Sequence, residues 1–193
     1  TVPAPHNDLP LLPFVDITAS SGIEFVHDAG ATAMRRLPET MGGGSLAFDY
    51  DLDGDQDLLL IHSAVSSEGR SSLVLYANLG AGTFRDVTQA TGLQAQLIGM
   101  GAVAADCDED GWQDLLVYGV GTPRLWRNQG GWFERIPTER FPPTTDQRWS
   151  LAADWLDYDR DGDLDLFIGG YLEWSPEWDD QLDCRWNGVD PSY

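Results

Sequence analysis

Apolar runs of four to six residues recur along this chain between Gly- and Asp-rich punctuation, and no stretch carries a helical period of useful length. Runs of this kind, bounded by turn residues, read as β-strands. Ser45-Leu46-Ala47-Phe48 leads into an acidic stretch and Leu58-Leu59-Leu60-Ile61 leads out of it. Ala102-Val103-Ala104-Ala105 and Leu115-Leu116-Val117-Tyr118 flank a second stretch in the same way, and Ala152-Ala153-Asp154-Trp155-Leu156 and Leu166-Phe167-Ile168 flank a third.

The remainder of the unit also repeats. Leu75-Tyr76-Ala77-Asn78-Leu79-Gly80 matches Leu125-Trp126-Arg127-Asn128-Gln129-Gly130, each a strand closed by a Gly turn. Gly82-Thr83-Phe84-Arg85-Asp86-Val87 and Gly131-Trp132-Phe133-Glu134-Arg135-Ile136 each supply a fourth strand. One unit is therefore four short strands, with the acidic stretch joining the first to the second. The first aspartates of successive units lie 57 and 51 residues apart, close to the roughly 40–50 residues of a propeller blade.

Near the N-terminus, Phe14-Val15-Asp16-Ile17-Thr18 through Gly22-Ile23 copies Phe84-Arg85-Asp86-Val87-Thr88 through Gly92-Leu93. The expected organisation is an extended segment with one blade strand over 1–41, a first repeat over 42–98, a second over 99–148, and a third, incomplete with an irregular tail, over 149–193. Residues 1–13 are expected to be extended and 137–148 to be an inter-blade loop. The fold class is all-β: propeller blades of four-stranded antiparallel sheets with Asp-rich calcium loops. About two and a half blades do not close a ring of four to eight. The chain is expected to be a piece of a longer protein, an assembly subunit or an open structure.

Charge sharpens this reading. The net charge is −21, and all eleven Lys/Arg positions are Arg. Such a balance excludes nucleic acid and anionic membrane surfaces as partners, and no run of apolar residues is long enough to span a membrane. Three nine-residue windows, 49–57, 106–114 and 157–165, account for −14 of the total. The acidity is thus concentrated in three places suited to cations.

Each window reads D-x-D-x-D-G-x-x-D. The candidate ligands are Asp49, Asp51, Asp53, Asp55 and Asp57; Asp106, Asp108, Asp110, Trp112 and Asp114; and Asp157, Asp159, Asp161, Asp163 and Asp165. Hard cations such as Ca²⁺ take six to eight oxygen ligands, and alternating aspartates in a curled loop supply them. Gly54, Gly111 and Gly162 hold the sixth position, where the chain turns sharply. The seventh position is expected to ligate through its carbonyl, which accommodates Trp112. The loops are not EF-hands, since position 12 is Leu60, Val117 or Ile168 rather than a bidentate Glu. Mg²⁺ prefers fewer protein ligands and Zn²⁺ prefers N or S, so three Ca²⁺ sites are expected. Acidic hairpin turns without an ion are the bland alternative. Three copies with Gly in register, and five carboxylates repelling one another in each, speak against it.

These residues resemble the FG-GAP/VCBS repeats of integrin-α-type β-propellers over roughly 42–170. Phe14 to Thr18, Gly22 to His27, Leu37 to Gly44 and Tyr171 to Pro176 also look like the cartilage-acidic-protein and ASPIC/UnbV group of secreted proteins. The resemblance implies a secreted or cell-surface location (extracellular or periplasmic), a longer propeller and no established enzymatic activity. In that group a cysteine pair often follows the Trp-Ser-Pro stretch; here only Cys184 is present, which implies a partner for it beyond Tyr193 and leaves Cys107 a free buried thiol. Pairing of Cys107 with Cys184 is the rival.

Other residues add less. His6, His27 and His62 are expected to be structural. Most of the eight Trp are expected in the core, while Trp174, Trp178 and Trp186 in the tail could offer an aromatic surface to a glycan or protein. No G-x-S-x-G elbow or phosphate loop is present. The leading expectation is an extracellular calcium-binding module for adhesion, scaffolding or protein–protein interaction, and not an enzyme. A surface-assembly subunit that completes its blades by self-association is the second. The scaffold of a polysaccharide-active enzyme is the third; it would need an acid/base pair outside the loops, for which no spacing stands out and Asp154 and Glu173 are the least poor choices.

Overall fold

The computed structural model describes residues 14–137 and 147–181. The expectations for 1–13 and for most of the 137–148 loop, together with His6, Cys184 and Trp186, lie outside the described residues.

The first apolar runs form β1 (Ser45–Phe48), β2 (Asp57–Ile61), β3 (Leu73–Asn78) and β4 (Phe84–Asp86). They make one antiparallel sheet in sequence order. The second unit gives β5 (Ile98–Ala105), β6 (Asp114–Val120), β7 (Arg124–Asn128) and β8 (Phe133–Arg135), again antiparallel neighbours in sequence order. The third unit supplies β9 (Arg148–Leu156) and β10 (Asp165–Glu173). The chain is thus all-β, in blades that do not form a closed ring. Among the described residues the helical elements are two four-residue α-turns, α1 (Thr18–Ser21) and α2 (Pro176–Asp179), and a 3-10 turn over Leu37–Thr40.

Blades 2 and 3 are not separate sheets. Val120 pairs with Trp149, which fuses them into one six-stranded sheet, and the Gly121 N–H donates to the Arg148 carbonyl at 2.7 Å. Register shifts at Gly99/Gly101 in blade 2 and at Gly169/Gly170 in blade 3 accompany this join; a bulge bends its strand and raises the local twist.

The core lies between blades 1 and 2. Blade 1 contributes Phe48, Leu59, Ile61, Leu73 and Leu75. Blade 2 contributes Leu115, Val117, Trp126 and Phe133. Counted from the last Asp of each acidic loop, blade 1 uses its second and fourth residues and blade 2 its first and third. Opposite faces of successive blades therefore meet, as the two-residue side-chain period of a strand requires. Each such buried side chain is worth about 1.5–3 kcal/mol.

The N-terminal copy is present as a turn but not as a strand. The Thr18 N–H donates to the Asp16 carboxylate at 2.9 Å and the Ser21 N–H to the Ile17 carbonyl at 2.9 Å. Thr88 with Asp86, and Thr91 with Val87, repeat both bonds at 2.9 Å. Gly22 and Gly92 close the two turns at φ 78° and 75°. The blade strand expected within 1–41 is absent among the described residues, because no third strand lies beside residues 14–16 to accept its ladder.

Candidate metal centres in the acidic loops

The three loops share one backbone path. Their fourth residues, Leu52, Glu109 and Arg160, have φ of 56°, 59° and 64°, and their sixth, Gly54, Gly111 and Gly162, have φ of 93°, 93° and 102°. A side chain other than Gly in this region is uncommon. Its recurrence at one position in three loops marks a fixed conformation. Sequence reasoning placed the glycines but missed this strained fourth residue, since Leu, Glu and Arg carry no left-handed signal.

Within loop 1, Asp49 accepts from the Asp53 and Gly54 N–H groups at 3.1 and 3.0 Å, and Asp53 accepts from Asp55 at 2.9 Å. Loop 2 repeats the set: Asp106 accepts from Asp110 and Gly111 at 3.0 and 2.9 Å, and Asp110 from Trp112 at 2.9 Å. These bonds curl the loop so that alternate carboxylates converge. Ligand atoms of Asp49, Asp51 and Asp53 lie within 4.8 Å of one another, as do those of Asp106, Asp108 and Asp110. Asp157, Asp159 and Asp165 form the third such group. Asp55, Asp57, Trp112, Asp114, Asp161 and Asp163 fall outside these groups.

Two details bear on a cation. Asp51 Oδ1 is buried and has no hydrogen-bond partner, so a carboxylate oxygen in the centre of loop 1 is left without a donor. In loop 2, the Arg127 guanidinium reaches Asp108 at 2.6 Å from β7 and competes for that carboxylate.

The ninth position behaves in two ways. Asp57 is 1% exposed; its oxygens accept from the Asn78 N–H at 2.8 Å and the Tyr50 N–H at 3.0 Å. Asp114, equally buried, accepts from Asn128 at 2.9 Å and from the Cys107 N–H at 3.3 Å. Burial pushes both carboxyls above the usual range against these bonds. Both residues clamp the loop to the third strand of its own blade. Asp165 is exposed and accepts from the Tyr158 N–H alone among the described residues. Among the described residues blade 3 has no third strand there, and Asp165 lies in the carboxylate cluster instead.

Asn78 and Asn128 were overlooked as site residues, although the same Asn recurs in both third-strand repeats. Asn128 is fully buried and its side chain donates to the Tyr50 carbonyl at 2.7 Å, bridging blade 2 to the first loop. Asn78 donates to the Gln56 carbonyl at 2.9 Å.

Cys107 is a free thiol, half-buried rather than fully so. It donates to Asp114 at 2.8 Å, and burial, with that carboxylate beside it, raises its pKa to about 12. The protonated thiol is thereby favoured over the thiolate. His27 and His62 lie side by side with Phe25. The Asp28 N–H donates to His62 Nδ1 at 2.9 Å, and His62 stacks on Phe25 with centroids 4.4 Å apart. His27 Nε2 lies 3.1 Å from Ser63 Oγ. Burial lowers the His62 pKa, with His27 adding to the shift. The neutral form is thus favoured by folding, so this contribution is present above the unfolded pKa of about 6.5 and is lost as pH falls through the lower folded value. Thermal melts from pH 7.5 to 5 should show a decline that His62→Gln removes; an unchanged slope in that variant would exclude His62 as the cause.

Trp126, Trp149 and Trp174 are buried, the last two edge-to-face at 6.3 Å. Trp178 is exposed, so of the described tail tryptophans only it offers surface. The enzyme pair does not assemble. Asp154 sits opposite Phe167 and Glu173 opposite Arg148, about 20 Å apart along the sheet at roughly 3.3 Å per residue. Among the described residues no helix is long and apolar enough to cross a membrane.

No curated protein matches this chain. The FG-GAP-like repeat family matches residues 49–117 and again 106–168, each span running from the first Asp of one acidic loop into the second strand of the next blade. The match is to the repeat and does not reach the narrower secreted group. FG-GAP-like repeats build β-propeller-like interaction modules, typically non-enzymatic and commonly extracellular or surface-exposed. With the repeated loops, the antiparallel blades and a match over most of the chain, this protein belongs to the FG-GAP-like repeat family.

Proposed function

We propose that this chain is an extracellular, calcium-stabilised interaction module whose three acidic loops each take one Ca²⁺. The observation that carries the reading is the repeated convergence of three carboxylates on one backbone path. The unpartnered Asp51 oxygen supports it from a different direction. Asp49, Asp51 and Asp53 would hold the first ion, Asp106, Asp108 and Asp110 the second, and Asp157, Asp159 and Asp165 the third. Position 7 carbonyls and water would complete the shells, with Asp55 in the first loop and Asp161 and Asp163 in the third within the same turns. The ion supplies charge neutralisation and rigidity to the turn between the first two strands, and performs no chemistry. Sites made of exposed aspartates suit the millimolar calcium outside cells, where affinities of about 10⁻⁴–10⁻³ M suffice. The surfaces left free by the rigid hairpins then serve a protein or glycan partner.

Calorimetric titration of the EDTA-stripped chain with calcium tests this. Three equivalents are expected for the native chain and two for Asp51→Asn. Absence of binding at 10 mM calcium in a chain that remains folded would remove the reading.

A further inference from the structure

The third position of each acidic loop is held in a different way. In loop 1 it is Asp51, whose Oδ1 is buried without a hydrogen-bond partner. In loop 2 it is Asp108, whose Oδ2 lies 2.6 Å from Arg127 Nε. In loop 3 it is Asp159, which accepts from the Asp161 N–H at 3.3 Å. Among the described residues, no guanidinium forms an ion pair with a carboxylate of loop 1 or loop 3.

The repeat explains how Arg127 comes to stand there. It precedes Asn128 on β7, and the Asn128 N–H donates to Asp114 of the same loop at 2.9 Å. The strand that clamps loop 2 therefore also brings the guanidinium to it. The matching residue of β3 is Ala77, which precedes Asn78 and is buried in the core. It carries no charge, so β3 offers loop 1 no cation from that position. The trio Asp106, Asp108 and Asp110 of loop 2 thus repeats the trio of loop 1, but with one of its three carboxylates already matched by a positive charge.

We infer that Arg127 is a built-in counter-cation of loop 2, so that the loops fill in order: loops 1 and 3 first, and loop 2 at a higher calcium concentration. The inference rests on the calcium reading and adds to it the residue that sets one site's affinity. Calcium affinity follows the charge count of the ligands, and Arg127 reduces that count in loop 2 alone. The ion pair is partly exposed, with side chains 40% and 26% accessible. Such pairs are weak, so calcium in excess displaces the guanidinium. The displaced group stays tethered to β7 and repels the bound ion across water. Together these effects weaken loop 2 about three- to tenfold relative to the other two loops. The chain then responds to calcium in two steps. Loop 2 is held by its own cation when calcium is scarce, and takes the ion last.

Calcium titration of the EDTA-stripped, nitrogen-labelled chain by NMR tests this, with each loop read through its own glycine amide at Gly54, Gly111 and Gly162. The native Gly111 midpoint is expected at about three- to tenfold more calcium than the other two. Arg127→Ala is expected to bring it level with them, and Arg127→Lys, which keeps the charge, to leave it displaced. Arg127→Gln serves as a second neutral variant should Arg127→Ala misfold. The Gly54 and Gly162 midpoints are expected to stay where they are in every variant. A native Gly111 midpoint equal to the other two overturns the inference and leaves the calcium reading standing. So does a late Gly111 midpoint that the neutral variants do not move. If none of the three amides shifts by about 10 mM calcium, above the range of weak extracellular sites, the calcium reading itself fails and the inference falls with it.

Discussion

Stripping calcium with EDTA is expected to lower the melting temperature by on the order of 10–30 °C. Each acidic loop holds five carboxylates in nine residues, and in loop 1 one buried oxygen lacks any donor. Among the described residues, the ion pair that meets a loop carboxylate is Arg127 on Asp108, and Arg160 lies within the third loop itself. For sites with Kd of about 0.1–1 mM, about 10 mM calcium stabilises each loop by roughly 1.4–2.7 kcal/mol. Three independent loops give about 4–8 kcal/mol, and a chain of this length moves about 2–4 °C per kcal/mol. The measurement is a pair of melts by circular dichroism, with calcium and with EDTA. Superimposable curves would show that the loops hold no stabilising ion. The effect should be specific to calcium and largely insensitive to added NaCl, since monovalent screening does not replace inner-sphere ligands.

The second large effect is expected at the ninth loop position. Asp57→Ala and Asp114→Ala should each cost about 3–5 kcal/mol, or roughly 6–20 °C, even in EDTA. Each carboxylate is buried and accepts two backbone N–H groups, one from its own loop and one from the Asn at the end of the third strand. Hydrogen bonds to a charged acceptor are worth about 1.5–3 kcal/mol, and truncation leaves both donors buried and unpaired. Asp165→Ala in EDTA should melt close to the native chain, because that carboxylate is exposed and lacks the third-strand bond. Urea unfolding of the three variants in EDTA checks the contrast. Equal losses at all three positions would mean that the buried clamp contributes nothing beyond the loop itself.

That contrast also shows where sequence reading stopped. D-x-D-x-D-G-x-x-D reads identically in all three copies, and all five aspartates of loops 1 and 3 looked like ligands. Only pairing to β3 and β7 reveals that Asp57 and Asp114 clamp strands together while Asp165 joins a carboxylate cluster. The asparagines that complete the clamp were visible as a repeated letter, but the bond runs between segments 21 residues apart in blade 1 and 14 in blade 2, and no local pattern announces it. The left-handed fourth residue was hidden for a related reason: its conformation is imposed by the ring of Asp side chains accepting backbone N–H groups, not by its own propensity.

The sequence by itself determined the strands, their order within a blade, the acidic loops and the family, because these depend on period, spacing and residue chemistry that are local to each repeat. The tertiary structure decided which face of each blade is buried, since both faces carry apolar residues and only the neighbouring blade selects between them. It also decided that blades 2 and 3 fuse at Val120 and Trp149, and that residues 14–16 are not a strand. A strand is defined by its partner: the same sequence pattern that makes Phe84–Asp86 a strand beside β3 leaves Phe14 and Val15 exposed where, among the described residues, no third strand stands next to them.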